Sequence, residues 1–153
     1  MQALLQVLTP DRLWIRPIWS APELGPWILS ASAPQQDRLL HVIAFSAGVV
    51  VAYPLLMAWQ HMGGTSRCIA IDGWGMPLLG NLDIYRMSHD RWTHNTTYFP
   101  SPQESQGYFY SDPAVDHLAI WQTPHTTLGF GSINTTAEPM TALEFICTVL
   151  SLA

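Results

Sequence analysis

The segment Leu39–Gly48, which reads LLHVIAFSAG, decides the fold. An apolar run ends abruptly at Ser46, and a second apolar run, Val49–Trp59, follows at once. This outline predicts a buried strand, a tight turn and a helix, with the serine at the turn. Small residues, Ala44 and Gly48, stand two positions before and after the serine, where we expect strand and helix to approach each other closely.

The serine in this turn is a candidate nucleophile. A tight strand-to-helix turn holds such a serine in a strained backbone conformation and exposes its hydroxyl at the carboxyl edge of the sheet. The N–H of Ala47 would then point to the place where an oxyanion forms, so Ala47 is the candidate oxyanion-hole donor. The alternative is that Ser46 only caps the helix, because serine is a preferred N-cap residue.

Alternating apolar segments predict an α/β fold in one domain, residues 1–153, which is long enough to bury a core. The predicted strands are Leu4–Leu8, Leu13–Ile18, Leu39–Phe45, Arg67–Ile71, Ile84–Ser88 and Tyr108–Tyr110. The predicted helices are Gly48–Met62, a segment from His117 to Pro124, and Thr141–Leu152. Strands that alternate with helices favour a largely parallel sheet.

The composition narrows the classes of partner. Hydrophobic residues make up 48% of the chain and charged residues 11%, well below the usual quarter. The net charge is −5 and every basic residue is arginine, so nucleic-acid binding through a basic patch is disfavoured. Few charges are present to cover the surface, which predicts a homodimer or a protein partner over an exposed apolar patch.

We expect a cytoplasmic protein with no membrane span. The uncharged segment Val42–Trp59 has the length of a span, but Ser46, Gly48 and Pro54 interrupt it. The first ten residues carry no positively charged start of a secretory signal. Both cysteines, Cys68 and Cys147, lie in apolar runs without metal-ligand spacing and read as reduced core residues.

Two more residues complete a candidate catalytic set. Asp72 directly follows a predicted strand, and His117 begins a later segment. Open parallel sheets place their ligands and catalytic groups at the carboxyl ends of strands. The chain order serine, acid, histidine is the order of an α/β-hydrolase. Each residue also has a plain structural alternative: Asp72 as a turn residue before glycine, and His117 as a capping or partly buried histidine.

At these residues the sequence resembles a known family. The segment from Ser46 to Leu78, SAGVVVAYPLLMAWQHMGGTSRCIAIDGWGMPL, resembles the nucleophile-to-acid segment of the thioesterase branch of the α/β-hydrolase superfamily. Enzymes of this branch release acyl chains from fatty-acid, polyketide and peptide synthases. The segment from Val115 to Phe130, VDHLAIWQTPHTTLGF, resembles the part of the family that holds the histidine.

The resemblance covers residues 38–78 and, more loosely, 112–130, so it is to a reduced, amino-terminally shortened member. It implies a three-layer sandwich with a mainly parallel sheet, and a serine hydrolase without a cofactor that acts on an acyl ester or thioester. Ser46 would be the nucleophile, Asp72 the acid and His117 the base. Asp90 is the alternative acid, because most α/β-hydrolases take the acid from one strand later.

The departures from the family support an alternative function. Few residues precede the serine turn, and no recognisable loop supplies the second oxyanion donor. The chain could therefore be a catalytically inactive hydrolase-like protein that binds a ligand or a protein partner.

Two smaller groups of residues also concern the site. His89, Asp90 and His94 suggest zinc, but no further ligand stands at a recognisable spacing, so we expect no metal site there. Trp74 and Trp92 each follow a candidate acid within two residues. They are predicted to form an apolar wall that accepts the acyl group of a substrate.

Overall fold

The computed structural model describes Ile15 and residues 39–73, 82–97, 106–133 and 136–152. The strands are β1 (Leu39–Phe45), β2 (Thr65–Ile71), β3 (Asp83–Ser88), β4 (Gly107–Ser111), β5 (Leu128–Ile133) and β6 (Glu138–Thr141). The helices are α1 (Gly48–His61), α2 (Arg91–Thr97), α3 (Ala119–Gln122) and α4 (Ala142–Ser151). The strands predicted at Leu4–Leu8 and Leu13–Ile18 lie outside the described residues, apart from Ile15.

The six strands form one mixed sheet in sequential order, β1 to β6. Strands β1, β2, β3 and β4 pair in parallel, whereas β5 pairs antiparallel with both β4 and β6. The link from β5 to β6 is far too short for a crossover, and therefore these two strands pair as neighbours in opposite directions. The expected α/β class is confirmed, with an antiparallel part that the sequence did not predict.

The two faces of the sheet pack against different helices, as the alternation along β2 shows. Cys68 and Ala70 join a buried cluster with residues of α1. Ile69 and Ile71 point the opposite way and join a larger cluster with residues of α4. Both faces of β2 are therefore buried from Arg67 onward, which suits its apolar run Cys68–Ile71. Strand β1 lies at the edge of the described sheet and only Ala44 of its residues is buried, so the expectation of a fully buried strand there is wrong.

Helix α1 starts directly after the serine turn and ends at two glycines. Gly63 adopts a φ of 85°, the left-handed conformation that commonly closes a helix. The indole Nε1 of Trp59 donates a hydrogen bond to the carbonyl of Thr65 at 2.8 Å, which ties the end of α1 to the start of β2. Of the helices that the structure describes, none is long and apolar enough to cross a membrane.

Candidate active site

The carboxyl ends of β1, β2 and β3 bring three polar residues side by side. Ser46 follows β1, Asp72 follows β2 and His89 follows β3. The N–H of Ser46 donates to the carbonyl of Ile71 at 2.7 Å, and the N–H of Asp72 donates to the carbonyl of Met87 at 2.8 Å. The hydrogen-bond pattern of the parallel strands thus continues one residue past the ends of β1 and β2. It fixes Ser46 and Asp72 at the ends of these adjacent strands.

Ser46 occupies a strained turn, as the sequence predicts. Its φ is 52°, in the left-handed region, which costs a residue with a Cβ about 1–2 kcal/mol. Strain of this kind gathers at functional sites, where the surrounding structure maintains it. The N-cap of α1 is Ala47, and none of the described side chains caps the helix, so the alternative that Ser46 is a capping residue is wrong.

The turn does not need glycine at position 48 for space. A Cβ placed on Gly48 would meet none of the described atoms within 4 Å. The close approach lies instead at Gly73, where a Cβ would stand 2.8 Å from a methyl carbon of Val49. The expectation that Gly48 makes room for strand and helix is therefore wrong, and Gly73 has that role.

Asp72 is the centre of the site. It is 5% exposed and adopts a φ of 50°, which a short polar side chain tolerates better than most. Its Oδ1 accepts a hydrogen bond from the backbone N–H of His89 at 2.9 Å. Its Oδ2 lies 2.8 Å from Nδ1 of His117 and 2.9 Å from Nδ1 of His89. Both oxygens of this buried carboxylate therefore have partners.

His117 is oriented by Asp72 and by Phe45. The loop before it is fixed by a hydrogen bond from the N–H of Val115 to the carbonyl of His89, 3.0 Å long. The ring stacks on Phe45, with 4.8 Å between centroids, so it lies beside the residue that precedes Ser46. With Nδ1 on Asp72, Nε2 makes no hydrogen bond to any described residue and is available to accept a proton.

The structure places Asp72, and not Asp90, against His117. Asp90 Oδ1 accepts a hydrogen bond from the N–H of Thr93 at 2.5 Å, the position of an N-cap on α2. Burial opposes the charge of Asp90, but the hydrogen bonds from Thr93 hold its pKa below the ordinary value. Its other oxygen lies 3.4 Å from Nε2 of His89. Asp90 therefore contacts the site only through His89.

His89 is a residue of the candidate site that the sequence interpretation missed. The sequence suggests His89 only as a metal ligand with Asp90 and His94, but His94 does not join the other two in a cluster. The ring of His94 lies instead against Tyr108, with 4.7 Å between centroids. The signal that identifies His89 is its place directly after β3, at the same edge of the sheet as Asp72.

The remaining predicted site residues stand as follows. Ala47 is exposed, and its N–H donates to no described residue, so it is available for an oxyanion. Between the two described residues Ser46 and His117 no hydrogen bond forms. Trp74 lies outside the described residues, and Trp92 lies on α2 with 65% of its surface exposed. A role for either tryptophan in substrate binding stays a prediction.

Comparison with known proteins adds no family to these observations. No protein-family model, no curated protein and no solved structure matches the chain. The function must therefore be argued from the serine turn and from the contacts of Asp72.

Proposed function

We propose that this protein is a serine hydrolase of thioesterase or esterase type, which acts on a small acyl ester or thioester. One observation carries the proposal: Ser46 lies on a strained strand-to-helix turn beside the strand that ends in Asp72, whose Oδ2 lies 2.8 Å from Nδ1 of His117. The fold would be a reduced α/β-hydrolase-like three-layer sandwich built on the parallel strands β1–β4.

The proposed mechanism uses each group for what its contacts allow. Ser46 Oγ attacks the acyl carbon, and His117 Nε2 takes the hydroxyl proton and delivers it to the departing alcohol or thiol. Asp72 orients the imidazole and stabilises the imidazolium that forms. The Ala47 N–H donates to the oxyanion. Water then attacks the acyl-enzyme with the same base, and Ser46 is released.

His89 supports this arrangement by holding the acid. Its backbone N–H and its ring Nδ1 contact different oxygens of Asp72, at 2.9 Å each. A carboxylate that is hydrogen-bonded through both oxygens keeps its orientation, and Oδ2 stays directed at His117. The lack of a hydrogen bond between Ser46 and His117 is compatible with catalysis, because such contacts often tighten only when a substrate is bound.

The proposal is tested by labelling with a fluorophosphonate probe, with the adduct located by mass spectrometry. We expect one adduct, on Ser46, and no adduct in Ser46→Ala. Ser151→Ala is the matched control, because Ser151 is an exposed serine at the end of α4, outside the turn, and it should label like the parent. No adduct on Ser46, under conditions that label a known serine hydrolase, would refute an active enzyme.

A second candidate is a catalytically inactive hydrolase-like protein that binds a ligand or a protein partner. Two observations favour it: the unmade contact between Ser46 and His117, and the exposed apolar side chains Val50 and Met57 on α1. A homodimer or a hetero-partner would cover such side chains. A strict monomer by sedimentation at high micromolar concentration would count against the homodimer.

A further inference from the structure

The described residues contain a group of three metal-ligating side chains that the proposed mechanism uses only in part. Asp72, His89 and His117 each offer one ligand atom, and these atoms all lie within 4.8 Å of one another. We propose that these three residues form a binding site for a divalent transition-metal ion such as Zn²⁺, and that the bound ion switches the hydrolase off. The binding stands by itself, whereas the inhibition rests on the proposed function.

Two of the three distances between the ligand atoms need only a small adjustment to accept an ion, and the third is within 4.8 Å. Bonds of 2.0–2.2 Å in a tetrahedral zinc site place neighbouring ligand atoms about 3.3 Å apart. Nδ1 of His117 and Nδ1 of His89 now lie 2.8 Å and 2.9 Å from Oδ2 of Asp72. Each must move away by about half an ångström. The His117 side chain is 43% exposed, which leaves it room to move.

The carboxylate is already oriented for this role. Asp72 Oδ1 is held by the backbone N–H of His89, so Oδ2 faces the two imidazoles. Hydrogen bonds that orient a ligating carboxylate raise metal affinity, and losing such a partner typically costs about 10–100-fold. Three protein ligands leave a fourth position for water, which can enter beside the exposed ring of His117.

The ligand atoms indicate which class of metal ion the site would bind. Imidazole nitrogen suits Zn²⁺, Cu²⁺, Ni²⁺ and Co²⁺, whereas Mg²⁺ and Ca²⁺ prefer sites made of oxygen alone. Two imidazoles and one carboxylate therefore favour the transition metals.

Inhibition follows from the position of the proton on His117. A metal on Nδ1 of His117 takes that nitrogen away from Asp72. The neutral ring then carries its hydrogen on Nε2, because each neutral imidazole has one N–H and one lone pair. With hydrogen on Nε2, the ring cannot accept the proton of the Ser46 hydroxyl. The same residue thus cannot bind the ion and act as the base.

The binding test uses metal alone and does not depend on activity. The metal-free full-length chain is titrated with Co²⁺, followed by visible absorption, and with Zn²⁺, followed by calorimetry. We expect one ion per chain, and an affinity at least tenfold lower in His89→Gln and in His117→Gln. His125→Gln is the matched control, because His125 is exposed and lies outside the cluster, and it should bind like the parent.

Two results would overturn the site: no saturable binding, or equal affinity in the parent, His89→Gln and His117→Gln. Circular dichroism of each variant checks that a lost affinity is not lost folding. The His117→Gln variant is the safer one, because its side chain is the more exposed of the two.

The inhibition test measures fluorophosphonate labelling of Ser46 with and without one equivalent of Zn²⁺. We expect labelling to fall at least tenfold with zinc and to return when a chelator removes the ion. Labelling that zinc leaves unchanged, in a chain shown to bind it, would refute the inhibition. If the metal-free chain does not label at all, the proposed hydrolase fails, and the titration still decides the metal site.

Discussion

Nδ1 of His117 lies 2.8 Å from Oδ2 of Asp72, although 45 positions separate the two residues in the chain. The sheet topology produces this contact. Each parallel crossover moves the chain one strand further in the same direction, so the loop after β4 begins two strands away from Asp72. The hydrogen bond from Val115 to the carbonyl of His89 then holds that loop over the end of β3 and brings His117 back to Asp72.

Replacing Asp72 by asparagine is expected to slow Ser46 labelling and ester hydrolysis by about 10²–10⁴-fold. Asparagine tolerates the left-handed backbone that Asp72 adopts, so the change removes the charge and leaves the fold. The Asp90→Asn variant is the control and should keep its activity, because Asp90 does not contact His117. Equal losses in both variants would show that the acid has been assigned wrongly.

The φ of 52° at Ser46 predicts that backbone strain at this position lowers the stability of the protein. Ser46→Gly and Ser46→Ala both remove the nucleophile, but only glycine adopts this conformation without strain. We expect Ser46→Gly to be more stable than Ser46→Ala by about 1 kcal/mol, or about 2–4 °C in melting temperature. Calorimetry of the two variants measures the difference. Equal melting temperatures would mean that the turn is not strained.

Two glycines beside the turn are expected to respond to alanine in opposite ways. Gly48→Ala should stabilise the protein by about 0.5–1 kcal/mol, because the new methyl group has space and alanine favours a helix. Gly73→Ala should destabilise it by about 1–3 kcal/mol, because the methyl group would overlap Val49. Urea denaturation of both variants provides the comparison. A destabilised Gly48→Ala variant would contradict the open space seen there.

The sequence predicted the parallel half of the fold because its signals are local. Strand β1 was predicted with its observed bounds, Leu39–Phe45, and helix α1 to within one residue of its end. An uninterrupted apolar run predicts a strand of a parallel sheet, and the serine after it predicts the turn into the helix. Those features can be recognised without knowing what the segment packs against.

The sequence does not predict the antiparallel strands β5 and β6, because contacts with other strands, and not local propensity, explain their residues. Strand β5 reads LGFGSI, and glycine is unfavourable in a strand by local propensity. A Cβ on Gly129 would overlap the carbonyl of Tyr110, and one on Gly131 would overlap Met140. Glycine is required at both positions because neighbouring residues approach the backbone closely there. The sequence of β5 alone does not show that approach. The contact of His89 with Asp72 is not predicted for the same reason, because it depends on the pairing of strands β2 and β3.

Acid should destabilise the protein through His94. Burial, helped by the charges of Arg86 and Arg91, lowers the pKa of His94 to about 4. In the unfolded chain the ordinary value applies, so between pH 6.5 and pH 4 the unfolded state binds the extra proton and stability falls as the pH falls. The slope contributed is at most about 1.4 kcal/mol per pH unit. Well above pH 6.5, His94 is neutral in both states and adds no pH dependence.

Unfolding by urea at several pH values tests this assignment. The His94→Gln variant should lose part of the slope between pH 6.5 and pH 4, and His125→Gln, at an exposed histidine, should keep it. A His94→Gln variant with the parent's slope would show that other groups cause the acid sensitivity.

Arg67 links the sheet to the end of α4, and its loss should be costly. Its Nε lies 2.6 Å from Oδ2 of Asp83, and its Nη1 donates to the carbonyls of Val149 and Leu152 at 3.2 Å and 2.6 Å. The residue is only 8% exposed, so methionine in its place would remove all three of these hydrogen bonds from a largely buried position. We expect Arg67→Met to lower the free energy of unfolding by about 2–4 kcal/mol.

The matched control is Arg91→Met, at an exposed arginine, with an expected change within about 0.5 kcal/mol. Urea denaturation measures the free energy of unfolding of both variants. Equal stabilities of Arg67→Met and Arg91→Met would show that the contacts of Arg67 contribute nothing to the fold.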